Sequence, residues 1–205
     1  MNLYFVRHGE TEYNALNLFQ PEDIKLSDIG LKQSKSLAER FSNPIDIIYS
    51  SSMKRAKETA EIVNKSLKKN IICLDCLKER RLPSEFIGKK KDSLETIEME
   101  KIRDLHENDS LWHYSDEENF TECKKRVDKF FSILSEIKEK NVLIVSHGWL
   151  IRLIIFSMME KEFDYKTFCR FADFFKFDNA GITFCKRNKE GDYSVQVLND
   201  HPYLD

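Results

Sequence analysis

The chain has 205 residues and a formal net charge of −2, with 41% hydrophobic and 33% charged residues. This length suits one domain with a sizeable core, and the near-zero charge argues against nucleic acid as the main partner. Five cysteines, an odd number, favour a reducing compartment over a disulfide framework, so we expect a cytoplasmic protein. Arg7 and His8 come too early in the chain for the apolar core of a secretory signal.

Read in chain order, apolar runs alternate with helical patterns. Strands are predicted at 3–6, 45–50, 71–74 and 142–146, helices at 26–41, 53–67, 119–139 and 149–159, and a final hairpin from strands at 181–187 and 193–199. Strands that alternate with helices predict an α/β fold. We expect a three-layer α/β/α sandwich with a mostly parallel central sheet and a small helical insertion.

The helix predicted at 26–41 begins with a clear signal. Ser27 is a candidate N-cap, and Ile29, Leu37 and Phe41 are spaced to form its apolar face. This spacing predicts that all three apolar side chains pack against the sheet.

The segment 77–118 differs from the rest of the chain. It is highly charged, contains Pro83 and Gly88, and shows only weak periodicity. This pattern predicts a helical insertion or lid inside a single domain that spans residues 1–205.

The longest apolar stretch, 142–159, is nearly long enough to cross a bilayer. It includes His147 and Arg152, which are costly in lipid. A buried strand followed by a buried helix therefore explains it better, and we expect no membrane partner.

Cationic side chains follow three of the predicted strands directly. Arg7 and His8 end the first strand, Arg55 lies in the first turn after the second, and His147 ends the fourth. Ligands of open α/β sheets bind outside the carboxyl ends of the strands. The sequence therefore predicts that two arginines and two histidines converge on one anion site. We expect Gly9 and Gly148 to allow sharp turns and a close approach to the ligand.

Such a pocket suits a phosphate group. The sequence has neither a P-loop nor a carboxylate cluster with metal spacing, so we expect no Mg²⁺ and no other cofactor. Two guanidinium groups can position a phosphoryl group and stabilise its charge. A neutral histidine can accept that group covalently, and a carboxylic acid can protonate the leaving oxygen.

Four motifs resemble the histidine phosphatase superfamily, the phosphoglycerate mutase-like proteins. The closest is "VRHGETEYN" at 6–14; the others are "LSDIGLKQSKSLAERF" at 26–41, "IYSSSMKRAKETAEIV" at 48–63 and "VLIVSHGWLIRLII" at 142–155. Together they cover most of the chain in the order that the family shows.

The resemblance implies a role for each matching residue. His8 is implied as the nucleophile that forms a phosphohistidine, and Glu79 as the proton donor. Arg7, Arg55 and His147 are implied to bind the phosphoryl oxygens. Asn14 is implied to reach in from the loop, and Gly148 to contribute a backbone N–H.

The region around the acid departs from the family pattern of Glu, then Gly, then a later Glu-Gly. Here the sequence is "LKERRLPSEFIGKK" at 77–90, so Glu85 is an alternative to Glu79. Glu79 is favoured because it follows the third strand at the usual offset. The nearby cations Arg80, Arg81 and 89–91 either attract an anionic substrate or form a solvated charged face.

The predicted function is a metal-independent phosphomonoesterase that acts on a phosphorylated small molecule. The first alternative is a phosphoglycerate mutase, which the atypical acid region argues against. The second is a catalytically idle module that binds phosphorylated ligands. The sequence makes no prediction about the oligomeric state.

Overall fold

The computed structural model describes residues 1–41 and 44–201 of the chain. The strands are β1 (Asn2–Arg7), β2 (Ile47–Ser51), β3 (Ile71–Leu74), β4 (Asn141–Ser146), β5 (Ile182–Arg187) and β6 (Tyr193–Asp200). The α-helices are α1 (Glu12–Ala15), α2 (Asp28–Leu37), α3 (Lys54–Leu67), α4 (Leu94–Leu105), α5 (Phe120–Glu136), α6 (Gly148–Met159) and α7 (Tyr165–Phe174).

The strands form one six-stranded sheet in the order β3-β2-β4-β1-β5-β6. The first four strands of this order run parallel, and β5 and β6 form an antiparallel hairpin at one edge. The predicted mostly parallel sheet and the final hairpin are both confirmed. In the part of the chain that the structure describes, no helix is long and apolar enough to cross a membrane.

The alternation of side chains along β1 shows why the sheet is covered on both faces. Leu3 and Phe5 are fully buried in one apolar cluster together with residues of α5, α6 and α7. Tyr4 and Val6 point to the opposite face and pack with residues of α2 and α3. Each face thus buries a complete apolar layer, which confirms the predicted three-layer sandwich.

The predicted apolar face of α2 is wrong at one position. Ser27 caps the helix as expected, and Leu37 is fully buried, but Ile29 is 49% exposed. The inner position of the first turn is taken by Gly30, where an added Cβ would lie 2.0 Å from the carbonyl oxygen of Glu10. The chain segment after β1 therefore packs directly against the backbone of α2 at Gly30. The neighbouring Ile29 side chain faces solvent.

Helix α7 was not predicted. Its sequence nevertheless contains the usual signals, because the Asp164 side chain accepts a hydrogen bond from the Thr167 N–H at the N-cap. Phe168 and Ala172, four residues apart, form its buried face.

The segment predicted as an insertion, 77–118, contains one α-helix, α4, and a short 3₁₀ turn at Ser84–Phe86, and another 3₁₀ turn, Asp75–Leu77, leads into it. Phe86 and Met99 pack with Phe19 in a small apolar cluster separate from the two main ones. The segment is thus anchored to the loop that follows α1.

Candidate active site

The site lies at the carboxyl ends of three adjacent strands. β2, β4 and β1 are neighbours in the sheet, and Arg7 at the end of β1 is in register with Ser146 at the end of β4. His8 and His147, which follow β1 and β4, therefore lie side by side, as the sequence predicted, and Ser51 at the end of β2 lies next to His147.

His8 is 2% exposed and is held by two hydrogen bonds. Its Nδ1 lies 2.7 Å from the Gly9 carbonyl oxygen, so Nδ1 carries the proton and donates. Its Nε2 accepts a hydrogen bond of 3.1 Å from Nε of Arg55. Burial, followed by the positive charges of Arg55 and Arg7, holds the pKa of His8 well below its ordinary value. The imidazole is therefore neutral at neutral pH, and its lone pair is on Nε2.

The charges of both predicted arginines act on His8. Arg7 donates from Nη1 to the Phe177 carbonyl oxygen at 2.5 Å, and Arg55 donates from Nη1 to the Pro21 carbonyl oxygen at 3.0 Å. Burial lowers the pKa of Arg7 and lowers that of Arg55 to about 10, so both remain cationic at neutral pH. Nε of Arg7 is buried and has no partner among the described residues.

His147 is fully buried beside His8, with the two ring centroids 5.1 Å apart. Its Nε2 lies 2.8 Å from Oγ of Ser51, and that oxygen also accepts a hydrogen bond from the Met53 N–H. Burial, then the charge of Arg55, holds the pKa of His147 well below its ordinary value. Its Nδ1 is buried without a partner among the described residues.

Glu79 is placed at the N-terminus of α6. Its carboxylate accepts hydrogen bonds from the N–H groups of Trp149 at 3.2 Å, Leu150 at 3.1 Å and Arg80 at 3.1 Å. The free N–H groups of a helix N-terminus are a natural seat for a carboxylate. The alternative acid, Glu85, is exposed and does not line the cavity in which Glu79 lies.

The two glycines do not act as predicted at the turns, because neither adopts a positive φ. An added Cβ on Gly9 would lie 2.6 Å from the Gly30 carbonyl oxygen of α2. On Gly148 it would lie 3.4 Å from Cδ of Arg7. Close packing against α2 is therefore the reason for glycine at position 9, whereas a Cβ on Gly148 would make only an ordinary contact with Arg7.

Asn14 lies near the site but does not line the cavity. Its side chain completes a capping box with Thr11 at the start of α1. Its Oδ1 also lies 3.3 Å from Nδ2 of Asn179, which donates to the His8 carbonyl oxygen at 2.9 Å. Asn14 therefore supports the backbone of the loop that follows His8.

A family model described as "Histidine phosphatase superfamily (branch 1)" matches residues 3–201. The chain belongs to the histidine phosphatase superfamily. It is therefore a histidine-type phosphatase, a phosphoric monoester hydrolase, and the predicted resemblance is confirmed.

Relatives and solved structures agree with this placement. A relative from Hydrogenobacter thermophilus is 31% identical over 201 residues, 95% of this chain and 93% of that protein. The "Metal-independent phosphoserine phosphatase" of Arabidopsis thaliana is 32% identical over 74% of this chain and 66% of its own length. A phosphoserine phosphatase mutant from Entamoeba histolytica, solved with phosphoserine, has a TM-score of 0.80 at 25% identity, covering 100% of this chain and 99% of that one.

In this phosphatase the site opens into a cavity of about 910 Å³. Of the predicted residues, Arg7, His8, Arg55, Glu79 and Gly148 line the cavity. His147 and Asn14 lie outside the lining. The lining also includes residues that were not predicted, namely Phe19, Trp149, Tyr165 and Phe177. Tyr165 was missed because α7 was missed, whereas the position of Trp149 follows directly from the motif around His147.

The charges that line the cavity are mostly positive near His8. Lys91 is partly buried, and burial, then the charge of Arg7, lowers its pKa. Arg152 hydrogen-bonds the carbonyl oxygens of Gly148 at 3.2 Å and Ala172 at 2.7 Å. Within the described residues, no group of three or more His, Cys, Asp or Glu side chains could hold a metal ion.

Proposed function

We propose that the protein is a metal-independent phosphomonoesterase that carries the phosphoryl group on Nε2 of His8. The observation that supports this most directly is a pair of buried nitrogen atoms that have no hydrogen-bond partner among the described residues, Nε of Arg7 and Nδ1 of His147. Buried donors are almost always paired, and a phosphoryl oxygen provides the acceptor for both. The Ser51 oxygen accepts from the Met53 N–H, and when its hydroxyl proton is donated to Nε2 of His147 the His147 proton lies on Nδ1.

The first step uses the neutral imidazole as the nucleophile. The Nε2 lone pair of His8 forms a bond to phosphorus, the bond from phosphorus to the ester oxygen breaks, and that oxygen takes the proton of Glu79. Arg55 gives up its hydrogen bond to Nε2 and, with Arg7, neutralises the equatorial oxygens. The proton of His8 stays on Nδ1, where its hydrogen bond to the Gly9 carbonyl oxygen stabilises the positive charge of the phosphohistidine.

The second step returns the enzyme to its starting state. Water gives a proton to the Glu79 carboxylate and attacks phosphorus, and the bond from phosphorus to Nε2 of His8 breaks. Inorganic phosphate leaves, the imidazole is neutral again, and Glu79 again holds a proton. The arginine cations supply the charge stabilisation that a metal would otherwise provide, and the Arabidopsis relative is itself named as metal-independent.

We propose that the substrate is a phosphorylated small molecule and that the segment 77–118 selects it. Residues of this segment form a large part of the cavity lining; they include Arg80, Arg81, Leu82, Ser84, Ile87, Lys91, Glu100, Arg103, Asp104 and Asp116. Phosphoserine is the first ester to test, because relatives and a solved neighbour carry that name. The five free cysteines suit the reducing cytoplasm.

The experiment that tests the mechanism is capture of the phosphoenzyme. Radiolabelled phosphoserine is mixed with the enzyme in the presence of EDTA and quenched in denaturant within milliseconds. We expect a protein-bound label that is lost in acid, and no label on His8→Asn. If the His8→Asn variant hydrolyses the ester at the wild-type rate, or if EDTA abolishes turnover, the proposal is wrong.

A mutase would form the same phosphoenzyme but return the phosphoryl group to a substrate hydroxyl. Incubation with 3-phosphoglycerate and a bisphosphoglycerate primer separates the two reactions. We expect release of inorganic phosphate from the esters and no isomerisation. Robust isomerisation would show that the protein acts as a mutase rather than as a phosphatase.

A further inference from the structure

The carboxylate of Glu79 is held by main-chain N–H groups of its own loop and of α6. Its position therefore depends on how the loop 78–81 is fixed against that helix. Two guanidinium groups fix the loop, one on each side of Glu79.

Arg126 of α5 fixes the side before the acid. It donates to the carbonyl oxygens of Cys76 at 3.1 Å and Lys78 at 2.7 Å. A bidentate pair with Glu118, with both N–O distances 2.6 Å, orients the guanidinium.

Arg80 fixes the side after the acid and is 7% exposed. Its guanidinium pairs with Oε2 of Glu117 at 3.2 Å and donates to Oη of Tyr165 at 3.3 Å. It also lies over the indole ring of Trp149, 5.4 Å from the ring centroid. Trp149 is one of the residues whose N–H binds Glu79, so Arg80 connects the acid loop to the first turn of α6.

Glu117 is a carboxylate shared by the buried guanidinium of Arg80 and the half-buried guanidinium of Arg103. It is 2% exposed, and its Oε2 also pairs with Arg103 of α4 at 2.6 Å. Arg80 and Arg103 both line the cavity, whereas Glu117 does not. The carboxylate thus joins the acid loop to the insertion that faces the substrate.

We propose that Glu117 is a positioning residue for Glu79: it fixes Arg80, and through Arg103 it couples α4 to the placement of the acid. This inference rests on the proposed role of Glu79 as the proton donor. Glu117 does not line the cavity. Replacing it should therefore slow only those reactions in which Glu79 must donate a proton. Expulsion of an alkoxide requires a proton, whereas p-nitrophenolate leaves without one.

The test compares phosphoserine with p-nitrophenyl phosphate in a Glu117→Gln variant. Glutamine keeps the shape but removes the charge that holds two arginines. We expect kcat for phosphoserine to fall about 10- to 100-fold, with KM within about threefold. The pre-steady-state burst of p-nitrophenolate, which reports phosphoenzyme formation, should stay within about threefold of the wild-type rate. A purely structural role would lower both reactions together, and that result, or no loss at all, would overturn the inference.

Two further variants separate the possible failures. Glu79→Gln should show the same preference for the aryl ester more strongly; if it does not, the proposed acid is wrong and the inference fails with it. Glu107→Gln is the matched control, because it removes an ion pair to Lys166 in the same part of the fold without contacting the acid loop. We expect no change in the aryl-to-alkyl ratio for this control.

If Glu117→Gln does not fold, Arg80→Lys gives the same test. Lysine keeps the positive charge opposite Glu117. It loses the guanidinium fork, which also donates to the main-chain carbonyl oxygen of Glu118 and to the hydroxyl of Tyr165. We expect the same selective loss on phosphoserine, and an equal loss on both esters would reject the role of Arg80.

Discussion

Nε of Arg55 donates a hydrogen bond to Nε2 of His8 across 3.1 Å, from the first turn of α3 to the loop after β1. The bond joins a guanidinium to the nitrogen that carries the imidazole lone pair, because Nδ1 is already bound to the Gly9 carbonyl oxygen. Arg55 therefore has two effects on His8. Its charge adds to the effect of burial in lowering the pKa of His8, and its N–H occupies the Nε2 lone pair to which we assign the phosphoryl group in the proposed mechanism.

Arg55→Lys tests this relationship. Lysine retains a charge but cannot reproduce the fork that reaches His8, Pro21 and Met53. We expect kcat/KM for p-nitrophenyl phosphate to fall on the order of 10²-fold, in the range found when one donor to a developing anion is removed.

Arg40→Lys is the matched control for that variant. Arg40 forms an ion pair of 2.8 Å with Asp200 at the far edge of the sheet and does not line the cavity. We expect its kcat/KM to remain within about twofold of wild type. Equal losses in the two variants would show that Arg55 has no specific role.

The positions of many site residues could be predicted from the sequence because these residues lie at the carboxyl ends of three strands. Once β1, β2 and β4 are neighbours, the residues that follow them must meet, and only the order of strands was needed to bring His8 and His147 together. The position of Glu79 required more. Its carboxylate is fixed by N–H groups of α6, some 70 positions away in the chain, and no local pattern encodes that contact.

The features that the sequence did not reveal depend on tertiary packing. Ile29 has the spacing of a buried residue, but Gly30 takes the inner position because another backbone lies against it. Similarly, Glu117 appears as one more charge in an acidic stretch, although it is buried between Arg80 and Arg103. The periodicity of apolar residues shows which face of a helix or strand is apolar, but it does not show which neighbouring element packs against that face.

The two buried histidines predict that stability depends on pH. Each is neutral in the folded protein, since its pKa lies well below the ordinary value, whereas an unfolded histidine binds a proton near pH ~6.5. The unfolded state thus binds more protons below that pH, and the free energy of unfolding falls as the pH is lowered. We expect a loss of roughly 1 kcal/mol per pH unit for each histidine between about pH 6 and 5.

Denaturant unfolding of His147→Gln measures that contribution. We expect the variant to have a lower stability at pH 7.5 but a shallower decline toward pH 5 than wild type. The exposed His113 serves as control, and His113→Gln should retain the wild-type slope. An unchanged slope in His147→Gln would show that this imidazole becomes charged in the folded protein.

The two candidate acids can be distinguished by one pair of variants. Glu79 binds at the N-terminus of α6 and lines the cavity, whereas Glu85 is exposed outside it. We expect Glu79→Gln to lower kcat for phosphoserine by about 10²- to 10⁴-fold. Glu85→Gln should stay within about twofold of wild type. If the two results are reversed, the acid is Glu85 and the departure from the family pattern has moved the proton donor.

The charges around His8 predict that the substrate carries a second anionic group. Four cationic side chains line the cavity on this side, namely Arg7, Arg55, Arg152 and Lys91, and the charges of the three arginines act on Lys91. Lys91 is placed for that anion, because its side chain lines the cavity and no described carboxylate forms an ion pair with it.

Lys91→Met tests this assignment by comparing two small alkyl esters. Methionine keeps most of the length and the apolar character of the side chain, but it removes the charge and with it the cation–π contact of Nζ with Phe19. We expect KM for phosphoserine, which has a carboxylate, to rise about 10-fold, while KM for ethanolamine phosphate, which has none, changes less than about twofold. In the variant the phosphoserine carboxylate loses one charge-assisted hydrogen bond to Lys91. The loss of one such bond accounts for the expected rise in KM. An equal rise in both KM values would place Lys91 on the phosphate instead, and no change in either would place it outside the substrate's reach.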